Sequence, residues 1–211
     1  MRKIIQKLKS IFNRQRSAFK NRNFPEPIFL PKDNKGIKIH IGPGDINLQG
    51  WINLDARHFS HIHIVSDNIN LNEFTDNSIT EIYLCHVLEH ISFVEAEDFI
   101  SQMYKKLKKN GILRISVPSF DSIIKIYQNN NLNLDLVKYA LMGGQDYEYN
   151  FHKSIYNQDE LENLYKKTGF SKVESWSTKE DFGQEIGDWS ATYYNSNVGK
   201  IGISLNLKAI K

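Results

Sequence analysis

Residues 40–55 read HIGPGDINLQGWINLD: an apolar run ends in two glycines one residue apart, Gly42 and Gly44, and an aspartate, Asp55, follows eleven positions after the second. Glycines spaced in this way let the backbone turn tightly at the end of a strand and come close to a ligand. A dinucleotide fingerprint needs a third glycine three residues past the second and an acidic residue about 20 positions further on. Asn47 stands at the third position, and Asp55 arrives too early for a helix to lie between the two strands. The segment therefore predicts a shortened crossover with a carboxylate at the tip of the second strand, placed to accept the two hydroxyls of a ribose. It argues against an NAD motif.

The rest of the chain alternates strands with helices. KIHI (38–41), WINL (51–54), HIHIV (61–65) and the end of DNSITEIYL (76–84) read as strands, followed by ILRISV (112–117), KVESW (172–176) and ISLNLKAI (203–210). Ser92 and Glu95 have capping-box spacing and predict a helix from Phe93. Its apolar stripe is Ala96, Phe99, Ile100, Met103 and Leu107, and Asn110-Gly111 is its expected stop. Asp121 is a candidate cap for a second helix, and NQDELENLYKKTGF (157–170) has the pattern of a third. This alternation predicts an α/β sandwich on a mainly parallel sheet. In such sheets ligands bind beyond the carboxyl ends of the strands, so the glycine turn marks the site. Asp67, at the end of HIHIVSD, stands where an adenine amino group would donate to it.

Charge is unevenly spread. Residues 1–24 carry eight Lys or Arg and no acidic residue, which leaves 19 basic against 24 acidic residues elsewhere. A body with that net negative balance lacks the clustered cations that phosphate tracking requires, so nucleic acid is not an expected partner. Ile4, Ile5, Leu8, Ile11 and Phe12 recur at helical spacing among those cations. This basic amphipathic segment suits either an anionic membrane surface or packing across the domain. PEPIFLPKDNKG (25–36) reads as a linker and residues 37–211 as one domain. The single cysteine, Cys85, excludes an internal disulfide and fits a reducing, cytoplasmic compartment, at the inner face of the membrane if the leader binds there.

Four segments, IGPGDINLQGWINLD, DNSITEIYLCHVLEHI, LKKNGILRISVPSFD and GGQDYEYNFHKSIYNQDELENLYKKTGF, resemble in order and spacing the small class I S-adenosylmethionine-dependent methyltransferases. The resemblance is to a bacterial branch associated with cell-surface polysaccharide genes. With the terminal strand it covers roughly residues 37–211. It implies a Rossmann-like, seven-stranded sheet whose last strand is antiparallel. It also implies S-adenosylmethionine as cofactor and S-adenosylhomocysteine as product. On this basis Gly42 and Gly44 lie against the methionine part, Asp55 on the ribose, Asp67 near the adenine, and Cys85 and His86 beside the sulfonium. Pro43 and Thr80 depart from the usual residues of the family.

Methyl transfer to a sugar hydroxyl needs an aligned acceptor and a group to take its proton. His86, His90 and His152 are the candidates, and His152 is the expected base. It lies in DYEYNFHKSIY, part of a segment over about 120–156 expected to cover an acceptor. There Gln145, Asp146, Tyr149 and Asn150, with His90, would bind a small molecule or glycan. Two other readings use the same residues. HVLEH (86–90) matches the HxxEH zinc-peptidase pattern, although the capping box places the main helix after it, so only a one-turn excursion would bring its histidines together. No metal is assigned on sequence grounds, at HVLEH or at His58, His61 and His63, and Glu89 suits a structural role. A noncatalytic cofactor-binding or scaffold protein on the same fold is the other alternative.

Overall fold

In the computed structural model residues 36–67, 69 and 71–211 are described. The amphipathic helix expected over 1–24, and the linker up to residue 35, lie outside them. In chain order the elements are β1 (Ile37–Ile41), β2 (Ile52–Asp55), β3 (Ile64–Val65), β4 (Ile79–Cys85), α1 (Ala96–Lys106), β5 (Leu107–Pro118) and α2 (Phe120–Gln128). They continue with α3 (Lys138–Met142), α4 (Gln158–Lys167), β6 (Lys172–Ser175), α5 (Thr178–Phe182), β7 (Tyr193–Ser196), β8 (Gly199–Gly202) and β9 (Ser204–Ile210). Seven strands form one sheet in the order β3-β2-β1-β4-β5-β9-β6. All neighbours pair in parallel except β9, which runs antiparallel to both β5 and β6.

The two faces of this sheet are covered differently, and the pleat explains how. Successive side chains of a strand point to opposite faces. Ile39 and Ile41, Ile82 and Leu84, and Leu113 and Ile115 all join the apolar core under α1 and α4. That core takes Ala96, Phe99, Ile100 and Met103 from α1 and Leu161, Leu164 and Tyr165 from α4. Each leucine, isoleucine, phenylalanine or methionine among them contributes about 1.5–3 kcal/mol by leaving water. The alternate residues His40, Tyr83 and Arg114 face the other way, into an aromatic layer with Trp51, Trp176 and Phe182. No helix follows β1, β2 or β3 among the described residues. The short β1–β2 crossover that Asp55 predicts is thus present, and α5 is the helix that packs Phe182 against this second layer.

Several boundaries differ from the sequence expectation. Ser92 does not cap α1: its hydroxyl accepts only the Val94 N–H, a preliminary turn forms, and the helix starts at Ala96. The helix ends at Lys106, not at Asn110-Gly111. Leu107 is already extended and paired with Ile79, and Asn110, at φ +62, lies within β5, its N–H donating to the Lys211 carbonyl while the Lys211 N–H donates to Gly111. The cap of α2 is Ser119, whose Oγ accepts the Ser122 N–H, and Asp121 lies inside the first turn. Asn157 caps α4 by accepting the Glu160 N–H, as its pattern predicts. The hairpin β7–β8 was not expected from sequence; Tyr194 and Ile201 pack it on Ile123, Ile126 and Val137.

Candidate active site

The chain runs outward from β1 through β2 to β3 and then returns to place β4 on the other side of β1. At this reversal the turns after β1 and β4 sit side by side. Gly42 (φ +61) and Gly44 (φ +53) both adopt the left-handed conformation that L side chains rarely take. A Cβ on Gly42 would meet Val87 Cγ2 at 2.4 Å, so the glycine also permits contact between the two turns. A cleft of about 250 Å³ opens there, lined by Gly42, Pro43 and Gly44, by Cys85 and His86, and by residues between Tyr139 and His152.

Asp55, 5% exposed, lies under the turn. Its Oδ2 accepts the Gly44 N–H at 3.1 Å and its Oδ1 the Arg57 N–H at 2.9 Å, with the Arg57 guanidinium at 3.6 Å. The His61 ring donates to the Gly44 carbonyl, and His63 Nδ1 accepts the Asn53 N–H. These two histidines therefore lace the β1–β2 crossover to the loop before β3. Arg57 lies between the rings of Phe59 and Tyr147 (4.8 and 4.7 Å to the centroids), reaching from beside Asp55 to the loop after α3.

The far end of the cleft is built on HVLEH. His86, at φ +54, follows β4, and a single 3-10 turn spans Leu88–His90. The Glu89 carbonyl accepts the N–H groups of Lys153 and Ser154 (2.7 and 3.1 Å), which holds the loop carrying His152 against the turn. His152 Nδ1 donates to the Ala140 carbonyl (3.0 Å) and His90 Nδ1 to the Phe151 carbonyl (3.1 Å). The two imidazoles meet edge to face at 4.8 Å. Burial, with the neighbouring His152 and His90, lowers His86 to about 3; burial, then His152, lowers His90 to about 4; burial also lowers His152. The Glu89 carboxyl is pushed up to about 8 by burial. The one-turn excursion therefore occurs. Glu89, His90 and His152 each place a ligand-type atom within 4.8 Å of the others, the one such group among the described residues.

Of the residues singled out from sequence, Gly42, Gly44, Cys85, His86, His90, Asp146, Asn150 and His152 line the cleft. Asp55, Asp67, Gln145 and Tyr149 do not: Asp55 is buried under the glycine turn, the other three are exposed, and Gln145 turns its amide onto the Met142 carbonyl. The polarity of these three made them look like ligand readers, whereas Tyr139 and Tyr147 supply the aromatic lining. Asp188, Trp189 and Arg57 also line the cleft and were not expected from sequence. Tyr83 donates to Asp188 Oδ2 at 2.5 Å, and Asp188 Oδ1 caps the turn at Ser190.

Residues 17–175 match the family model described as a methyltransferase domain. The chain belongs to that family. Methyltransferases with solved structures share its fold. A SAM-dependent methyltransferase from Thermotoga maritima superposes with a TM-score of 0.53 at 16% identity, over 85% of this chain and 84% of that one. One from Archaeoglobus fulgidus gives 0.50 at 15% identity, over 98% and 94%. The 1,6-didemethyltoxoflavin-N1-methyltransferase of Burkholderia thailandensis, whose structure contains S-adenosylhomocysteine, gives 0.50 at 12% identity, over 83% and 71%. At these identities the likeness is one of fold. No curated protein matches the chain by sequence. Among the described residues no helix is long and apolar enough to cross a membrane.

His40, like His86 and His90, is expected to make the methyltransferase domain less stable in acid. His40 is buried against Tyr83 (4.8 Å) and Trp51 (6.4 Å), and its Nδ1 has no partner. Burial, then the nearby His61, lowers it from 6.5 to about 3. Between these values the unfolded chain binds a proton that the folded one refuses, so stability falls as pH falls through this window. Urea unfolding at a series of pH values is expected to show a slope reduced by about 1.4 kcal/mol per pH unit in His40→Phe. An unchanged slope would refute the assignment.

Proposed function

We propose that this methyltransferase transfers a methyl group from S-adenosylmethionine to an oxygen of a sugar, a nucleotide-linked sugar or a phosphoryl-bearing precursor of a surface glycan, in the cytoplasm. The observation that carries the reading is the shared cleft: the glycine turn of β1 at one end and the Glu89 and histidine cluster at the other, with Cys85 and His86 between. The residues present fit the cofactor. Two left-handed glycines without side chains admit its methionine part. Asp55 keeps lone pairs for ribose hydroxyls beyond the two N–H bonds it already accepts. Bound S-adenosylmethionine supplies an electrophilic methyl on positive sulfur.

The chain's own residues then orient the acceptor and draw off its proton. Tyr139 and Tyr147 offer faces to a sugar ring, while Asp146 and Asn150, joined at 2.6 Å, offer acceptor and donor groups to its hydroxyls. His152 is the side chain on which proton removal depends. Its Nδ1 hydrogen is committed to Ala140, so its Nε2 bears the lone pair. The glycan acceptor and cytoplasmic location draw support from the sequence resemblance and the single cysteine.

Calorimetry with S-adenosylmethionine, followed by S-adenosylhomocysteine release against a panel of nucleotide sugars and glycan precursors, tests the reading. Binding without turnover on any acceptor would favour a noncatalytic role. Asp55→Ala is expected to weaken cofactor binding about 10–100-fold, the worth of charge-assisted hydrogen bonds. An affinity equal to that of the parent would remove Asp55 from the cofactor site.

A further inference from the structure

We infer that Glu89, His90 and His152, with His86 behind them, form a binding site for one divalent transition-metal ion at the acceptor end of the cleft. Three imidazole lone pairs converge on one carboxylate oxygen. Glu89 Oε1 lies 3.4 Å from His86 Nδ1, 3.9 Å from His152 Nε2 and 4.0 Å from His90 Nε2. The tautomers follow from the partners of the opposite nitrogens. Carbonyls can only accept, so Ala140 and Phe151 hold the hydrogens of His152 and His90 on Nδ1. Ser204 spends its own hydrogen on the Trp189 carbonyl, and so accepts from His86 Nε2 at 2.8 Å. Every near-side nitrogen therefore presents a lone pair to an oxygen that also presents lone pairs.

Glu89 is 1% exposed, and neither of its carboxylate oxygens has a hydrogen-bond partner. A buried carboxylate without donors is costly, and three acceptors facing it add to that cost. One proton on the carboxyl would satisfy one histidine and leave two. A dication satisfies the carboxylate and the histidines together. The surroundings also have the form of a metal shell, because ligating histidines donate their other N–H to backbone carbonyls or hydroxyls, as all three do here. Ligand atoms within 4.8 Å of one another need small rotations to reach the distances of about 2.0–2.2 Å at which imidazole and carboxylate bind zinc. Nitrogen-rich donors select zinc, cobalt, iron, nickel or copper ahead of magnesium, calcium or manganese.

The ion's role rests on the proposed methyl transfer. An acceptor hydroxyl bound at its open position loses its proton to water, as the positive charge lowers the hydroxyl's pKa. The alkoxide oxygen then bonds to the methyl carbon while the carbon–sulfur bond breaks, its electron pair passing to sulfur. The negative alkoxide and positive sulfonium become a neutral ether and a neutral thioether. His152 thus serves proton removal as a ligand of the ion.

The test uses the full chain, stripped with a chelator and titrated with cobalt(II) chloride by visible absorption and calorimetry. One ion per chain is expected, with affinity lowered at least about tenfold in Glu89→Gln, His90→Ala and His152→Ala. Circular dichroism and S-adenosylmethionine binding serve as checks on folding. No saturable binding of cobalt or zinc by the parent protein would overturn the site, as would parental affinity in folded Glu89→Gln and His152→Ala. Ion binding with no affinity for S-adenosylmethionine would leave the site standing and remove the proposed function. Full turnover by the stripped protein would overturn the ion's part in catalysis.

Discussion

His152→Ala is expected to lower turnover on the acceptor by about 10²–10⁴-fold, the usual worth of a group on which removal of the reacting proton depends. S-adenosylmethionine affinity should stay close to that of the parent, because His152 is held by Ala140 and not by the glycine turn. The loss should fall on kcat. A purely structural histidine would behave otherwise, lowering the melting temperature while turnover measured well below it stayed near normal. Near-normal turnover in a folded variant would end the assignment. Initial rates of S-adenosylhomocysteine release, with calorimetry beside them, separate these cases.

The second large effect lies on the other face of the sheet. Arg114 of β5 donates to Glu81 Oε1 at 2.7 Å and to Asp181 Oδ1 at 2.6 Å, and all three side chains are nearly buried, at 7, 12 and 9% exposure. Lys38 also meets Glu81 at 3.1 Å, and Lys208 meets Asp181 at 2.6 Å. Removing one member of a buried ion network is destabilising mainly because it strands the partners' charges. Arg114→Met is therefore expected to cost about 3 kcal/mol, toward the low end for buried pairs because both lysines remain. Urea denaturation measures it. A loss below about 1 kcal/mol, the value of an exposed pair, would show that the network is solvated. Arg114 also lies over Trp176 and Phe182, so its loss should loosen α5 first.

What sequence could reveal depended on the range of the interaction. The β1–β2 crossover was legible because Gly42, Gly44, Asn47 and Asp55 sit within one local pattern, and the cap of α4 because Asn157 acts three residues away. Asp121 and Ser92 misled for the same reason: both have capping chemistry, but the extended Ser119 before α2 and the preliminary turn before Ala96 took the role. The antiparallel β9 was expected from resemblance alone, since strand direction leaves no mark on periodicity. At the site, the residues on HVLEH and His152 were visible as chemistry. Their convergence was not, because it depends on the Glu89 carbonyl gripping Lys153 and Ser154. Arg57 and Asp188 were hidden altogether, since Arg57 reaches Tyr147 and Asp188 holds Tyr83 only through tertiary contacts. Gln145 and Tyr149 show the converse: suitable side chains on a loop whose backbone directs them elsewhere.

Contact between Gly42 and Val87 has a thermodynamic consequence. Val87 is flanked by His86 and the turn that carries Glu89, so a ligand that presses on the glycine turn also presses on the backbone at the other end of the cleft. The two ends are expected to be energetically coupled, and such coupling is reciprocal: the factor by which cofactor changes affinity for an ion or acceptor equals the factor by which that partner changes affinity for cofactor. Substituting Val87 by alanine, which leaves every polar group in place, should shrink both factors together.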